Sequence, residues 1–360
     1  MSSKQFLHAV KRGKKGQNIG ISLGLPKLDS VIYGIQKKAL YTIGADSGSG
    51  KTSFAMASFI YNLINTERPE GVSIIYYSFE MSKESLYAKL ISLHIYDKHK
   101  VIIPYKEILS MQETISDEKY ELIVSCKEWL EKIDSILTIY DRSLSPPAIY
   151  ATLKSWLSEF GEFVHIDEHR EDYIPTDGRY KVGVWDHVGL IGGNGSKKER
   201  IDTVVDYGIY FRNKCDFTGI FVQQLNRNAK SMDRKTNGYE LIGLDDFKDT
   251  SGTTDASEVV IALYFPYREK IARCEGYPIQ NVLKKRFRLA QVLKNRYGDA
   301  DTNIGLGFYG EIGLFKELPK PEEIGDYEPY LNLNCEVRNL NKKEDKIINT
   351  DDNDKNVFKF

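Results

Sequence analysis

Short apolar runs recur along the chain, and longer stretches with helical spacing lie between them. Ala39–Ile43, Ser73–Phe79 (SIIYYSF), Ile136–Tyr140, Val182–Trp185, Gly219–Gln223 and Glu258–Phe265 are rich in β-branched and aromatic residues, which predicts buried strands. Phe54–Ile64, Ser82–His94, Tyr105–Lys132, Pro146–Phe160 and Lys198–Asn213 predict helices. Ser82 is placed to cap the second of these, with Leu86, Leu90 and Leu93 on one face. Ala290–Lys316 predicts two hairpins that turn at Gly298 and Gly310. Strands alternating with helices imply an α/β fold: a mainly parallel twisted sheet with helices on both faces and a C-terminal β-hairpin region.

The same pattern sets domain limits. Residues 1–18 are basic and read as a flexible arm, residues 19–318 as one domain, and residues 319–360 as a polar tail with few apolar positions. Residues 160–180 break the alternation and read as a surface insertion. His165, Asp167, Glu168 and His169 within it lack regular ligand spacing and read as a solvated loop.

Composition narrows the function classes. The net charge of −1 over 360 residues gives no global field for nucleic acid, so such a site must come from a local patch or from a channel in an assembly. Four cysteines without a C-x-x-C pair argue against a zinc site or disulfide framework and fit a reducing, cytoplasmic compartment. No apolar run approaches the roughly 18 residues of a membrane span.

The strongest chemical signal is GADSGSGKTSF, Gly44 to Phe54, between a strand and a helix. Backbone N–H groups and a helix N-terminus converge on phosphate in such a loop, which makes Ala45, Asp46, Ser47, Gly48, Ser49, Gly50, Lys51, Thr52 and Ser53 the cradle. Lys51 can reach the β/γ-phosphates and the Thr52 hydroxyl can ligate Mg²⁺. Ala45 stands where the usual motif has its first glycine. Other apolar runs end in polar residues: Glu80, Asp186 and Gln224. Ligands of open α/β sheets sit beyond the carboxyl ends of the strands, so these residues face one nucleotide if their strands are neighbours. Asp186 suits a Mg²⁺ water shell, Glu80 a base for attacking water, and Gln224 a γ-phosphate sensor. Lys294 and Arg296, two apart in the hairpin region, suit charge spread over a transferring phosphoryl group.

Taken in order over roughly residues 19–317, the segments GISLGLPKLDSVIYGI, ADSGSGKTSFAM, SFEMS, IYDRSLSPPAIYATLK, VGVWDHVGLI, QQLNR, DFKDTSGTTDASEVVIALYF and LKNRYG resemble the ATPase domain of DnaB-type replicative helicases. The resemblance implies a RecA-like fold, ATP with Mg²⁺ as cofactor, and a ring hexamer on single-stranded DNA. It implies Glu80 as the catalytic carboxylate, Gln224 at the γ-phosphate, and Lys294 and Arg296 reaching the adjacent subunit's nucleotide. Family phosphate loops often begin with alanine, as here. His187 and Gly189 depart from the family's D-Y-L-Q-L, and Lys248 and Asp249 stand for Arg and Glu in a segment, with Gly252, that touches DNA backbone in the family. Only about 18 residues precede the domain, so docking of loader or primase through a helical N-terminal domain is not expected, and a phage or mobile-element version is.

Two basic loops after strand ends are candidates for nucleic acid: Lys197, Lys198 and Arg200 in one, and Arg227, Lys230, Arg234 and Lys235 in the other. Few aromatics interleave them, so backbone tracking with steep salt dependence is expected. A third basic cluster, Lys284–Arg288, reads as an exposed helix face. The acidic tail ends in Phe360 and is a candidate for docking replication-fork proteins. Competing readings are a RecA/RadA-like recombinase and a KaiC-like ATP-gated scaffold without unwinding.

Overall fold

The computed structural model describes residues 3–68, 70–167, 170–225, 241–247 and 251–333. Thirteen strands form among them: β1 (Leu40–Ala45), β2 (Val72–Ser78), β3 (Leu137–Tyr140), β4 (Gly161–Asp167), β5 (Arg170–Pro175), β6 (Tyr180–Asp186), β7 (Phe217–Gln224), β8 (Val259–Tyr264), β9 (Arg273–Cys274), β10 (Tyr277–Pro278), β11 (Phe287–Asn295), β12 (Thr302–Tyr309) and β13 (Leu314–Glu317). Nine make one sheet in the order β13-β12-β11-β8-β1-β7-β6-β2-β3. From β8 to β3 all neighbours are parallel, whereas β11, β12 and β13 add antiparallel hairpins at one edge.

Side-chain alternation sends neighbouring residues to opposite faces, and both faces are covered, so the central parallel strands are predominantly apolar. On one face Ile43, Ile74, Tyr76 and Val184 pack against Phe54, Phe59, Ile60, Leu86 and Leu90. On the other, Leu40, Ile75, Tyr77, Trp185 and Phe221 pack against Ile149, Leu153, Val204 and Phe211. The Trp185 ring is stacked on Phe221 with centroids 4.8 Å apart.

Several segments differ from expectation. Ser3–Lys14, expected as a flexible arm, is a helix. The helix after the phosphate loop contains a π segment, Ala55–Tyr61. A π turn leaves carbonyls without their usual i+4 partners, and the Asn62 amide donates to Ala57 O and Ser58 O, at 3.1 Å each, and to Leu23 O at 2.6 Å. The insertion expected as a solvated loop is the hairpin β4–β5. Its Glu171 accepts from Lys154 at 2.7 Å and from Tyr210 at 3.0 Å, and its Tyr173 is buried, which docks it on helices Pro146–Leu157 and Lys197–Cys215. Lys284–Arg288 is not an exposed helix face: Lys284–Arg286 is a single 3-10 turn, and Arg288 lies inside β11 with 3% exposure. The first part of the polar tail packs on the domain, with Leu333 buried near Tyr309. Residues 334–360 lie outside the described residues, as does the terminal Phe360.

Candidate active site

The sheet order makes β1, β7, β6 and β2 consecutive, so their carboxyl ends share one rim. Ala45 is in register with Gln224, Asp186 with Val222, and Ser78 with Asp186.

The phosphate loop leaves β1 at Ala45, which lies in regular strand backbone. A left-handed φ appears at Gly48 (75°) and Gly50 (99°), so glycine is required at those positions and alanine fits at 45. A Cβ on Gly50 would meet the Phe315 and Phe308 rings at 3.1 and 3.2 Å. Two arginines take up carbonyls of the loop: Arg288 Nε donates to Ser49 O at 2.7 Å, and Arg268 donates to Ser47 O. The helix then starts at Lys51, with Phe54 N donating to Gly50 O at 2.8 Å.

Glu80 sits just past β2 on a bend that Ser78 fixes. The Ser78 hydroxyl donates to Met81 O at 2.6 Å and accepts from Met81 N, while Phe79 N donates to Asp186 O at 2.8 Å. Glu80 Oε2 lies 3.7 Å from Lys51 Nζ. Asp186 is 3% exposed, and its Oδ2 accepts from the Tyr76 hydroxyl at 2.7 Å. Burial raises the pKa of this carboxyl, while Tyr76, Thr52 and Lys51 oppose the rise. Its other oxygen, Oδ1, is buried without a well-formed hydrogen bond. An orphaned carboxylate oxygen beside Thr52 fits a hydrated divalent cation, which would supply the missing partner.

His187 follows Asp186 and is also buried. Its Nδ1 accepts from Gly189 N at 3.2 Å, and its Nε2 lies 4.0 Å from Glu80 Oε2. Burial and the nearby Lys51 push its pKa down to about 4, against the pull of Glu80, so the ring is neutral at pH 7.

Lys51, Thr52, Glu80 and Asp186 are therefore brought together, with Gln224 ending the strand beside Ala45. Lys294 and Arg296 are not among them. β11 runs antiparallel to β8, and Asn295 is in register with Val259 at the end that pairs with Tyr41, the start of β1. At about 3.3 Å per residue, that end lies on the order of 13 Å from Ala45 along the strand. Lys294 donates there to Thr254 O and Asp255 O at 2.7 and 2.9 Å, and Arg296 lies 3.4 Å from Glu258. Of the nucleic-acid candidates, Arg200 donates to Ile191 O at 2.9 Å and to the carbonyls of Gly193 and Gly195, holding its own loop. Lys197 and Lys198 open the following helix, and Gly252 opens a short one. Arg227, Lys230, Arg234, Lys235, Lys248 and Asp249 lie outside the described residues.

Sequence reasoning missed a cavity of about 640 Å³ beside the loop, lined by Phe265, Tyr267, Arg268, Arg288, Phe308 and neighbours. The Arg288 guanidinium is 3.5 Å from the Phe265 ring centroid and 4.8 Å from that of Phe308. The aromatic positions come from separate elements, and only the fold brings them together.

The sheet and the cluster at its rim define a RecA-like α/β domain built around a phosphate-binding loop. Residues 20–163 match the family model for the DnaB-like helicase C terminal domain. That segment, which includes the phosphate loop, Glu80 and helix Pro146–Leu157, is therefore similar to the ATPase portion of DnaB-like helicases. The replicative DNA helicase DnaB of Rickettsia prowazekii (strain Madrid E) is 31% identical over 102 residues, which are 26% of this chain and 21% of that protein. The match thus spans about a fifth of the curated relative's length. Two solved structures share the fold, each at 18% identity. One, itself an isolated ATPase domain, has a TM-score of 0.66, covering 88% of this chain and 99% of its own. The other, a DnaB-like replicative helicase described with its primase interactions, has a TM-score of 0.63, covering 89% and 67%.

Proposed function

We propose that this chain is an ATP-dependent DNA translocase and helicase of the DnaB type, hydrolysing ATP at the interfaces of a ring hexamer to move along single-stranded DNA in replication. The observation that carries the reading is the division of the machinery between two rims. Lys51, Thr52, Glu80 and Asp186 form half a phosphoryl-transfer site, and the cations suited to complete it, Lys294 and Arg296, lie at the opposite rim. A head-to-tail ring joins one subunit's first rim to the next subunit's second.

The loop amides and Lys51 hold the β- and γ-phosphates. Thr52 and Asp186 would hold Mg²⁺, which would supply neutralising charge to the phosphates. Glu80 orients the attacking water and accepts its proton. Gln224, ending β7 beside the loop, registers the γ-phosphate. The base occupies the cavity of Phe265, Arg288 and Phe308. Replication-fork partners and a cytoplasmic location accord with this role. Among the described residues no helix is long and apolar enough to cross a membrane.

The test is ATP turnover with and without single-stranded DNA, read with the molecular mass in the presence of nucleotide. Turnover that rises on DNA, from a species several subunits in size, is expected. Slow turnover indifferent to DNA would favour the scaffold reading, and strand exchange without unwinding the recombinase one.

A further inference from the structure

The two positions where the segment after Asp186 departs from its family, His187 and Gly189, act on each other. The His187 ring turns back on the chain so that Nδ1 accepts the Gly189 N–H at 3.2 Å. A neutral imidazole whose Nδ1 accepts must carry its proton on Nε2. Nε2 lies 4.0 Å from the Glu80 carboxylate Oε2, just beyond hydrogen-bond length, so a small rotation of the exposed Glu80 side chain brings the two into contact. A side chain at position 189 would crowd this seat, because a Cβ there would stand 3.0 Å from His187 Cε1 and Nδ1 and from Lys197 Cε, and the ring would have to shift to admit it.

Glu80 needs such a partner. Its side chain is 53% exposed and is carried on a bend, and its one close cation among the described residues is Lys51, 3.7 Å away on the same Oε2. Lys51 is also the side chain the phosphates require. When it turns to them, Glu80 loses that partner while it must hold a water in line with the γ-phosphate.

We propose that His187, protonated at Nε2 and seated on the Gly189 amide, is the positioning residue that holds the Glu80 carboxylate toward the attacking water when Lys51 has moved to the phosphates. The inference rests on the proposed ATP hydrolysis at this site. His187 touches neither nucleotide nor water; it acts through Glu80.

The experiment compares wild type, His187→Phe, His187→Gln and Gly189→Ala in the full chain, reading kcat and KM for ATP, affinity for a fluorescent ATP analogue, and thermal melting. His187→Phe is expected to lower kcat about 10- to 100-fold, the scale of a misplaced reacting group, with KM and analogue affinity within about twofold. His187→Gln keeps a donor near the Nε2 position and is expected to recover most of kcat. Gly189→Ala keeps the imidazole but obstructs its seat and is expected to behave like the Phe variant, which covers the case in which that variant fails to fold. Histidine ¹⁵N spectra of the nucleotide-free protein are expected to show His187 as the Nε2–H tautomer. If His187→Phe or Gly189→Ala melts normally and keeps its kcat, or if the Gln variant is as slow as Phe, the inference is wrong. A wild-type protein with no ATP turnover would instead overturn the reading on which it rests.

Discussion

At the residue scale, the loop is held open from outside. Arg288 is buried between two phenylalanine rings and its Nε binds the Ser49 carbonyl, so its guanidinium fixes the loop backbone that must present amides to phosphate. Burial, with Arg268 nearby, lowers its pKa, yet an arginine remains charged at neutral pH. Arg288→Met keeps length and apolar contact with the rings but loses the charge and the hydrogen bonds. A buried carbonyl left unpaired costs about 1–3 kcal/mol, so a lower melting temperature and an ATP affinity several-fold weaker are expected. Calorimetry and titration with a fluorescent analogue check both, and unchanged affinity would remove Arg288 from the loop's support. Lys51→Ala, by contrast, should leave the fold intact and abolish turnover, since its ammonium, 3.7 Å from Glu80, belongs to the reacting cluster; persistent turnover in a steady-state assay would remove the cradle assignment.

At the element scale, helix Lys83–His99 carries Glu80's bend into the core and stacks His94 on Trp129 at 3.9 Å between centroids. Burial, with Lys98 adding to it, pushes the His94 pKa down to about 4. An unfolded histidine titrates near 6.5. Between those values the unfolded chain holds a proton that the folded chain refuses, so stability rises with pH across that window. It is fully present above about 6.5 and is lost as pH falls toward 4. His94→Gln should make melting temperature less dependent on pH in that range, and an identical slope would contradict the assignment.

The same elements show what was legible in advance. Strands, helices and the strand-end residues Glu80, Asp186 and Gln224 could be read because each is written in a contiguous run: SIIYYSF ends beside Glu80 and VGVW ends at Asp186. Hairpin β4–β5 was hidden because its polar residues pair with helix side chains such as Lys154 and Lys214, contacts that no local pattern records. The role of Arg288 was hidden for a related reason. In sequence it sits with Lys284, Lys285 and Arg286, and only the pairing of β11 turns it inward. His187 and Gly189 were visible as departures, but their link runs through a ring orientation that spacing does not reveal.

At the scale of the whole molecule, one chain holds the phosphate loop, Glu80 and Asp186 at one rim of the sheet and the cations Lys294 and Arg296 at the other. Lys294 is bound to the carbonyls of Thr254 and Asp255, and Arg296 lies against Glu258, which also accepts from Arg212 at 2.8 Å. A transition-state arginine is worth about 10³–10⁵ in rate, or roughly 4–7 kcal/mol. The account therefore predicts that Arg296→Ala abolishes turnover with nucleotide binding largely intact, because the residue serves a neighbour. The most direct measurement is to mix Arg296→Ala with Glu80→Gln protein and follow ATP hydrolysis against mixing ratio. Each variant alone should be inactive, and random head-to-tail mixing at equal ratio should leave about a quarter of the interfaces with both residues, so activity should return and peak near equal amounts. No recovery at any ratio would contradict a site shared between subunits.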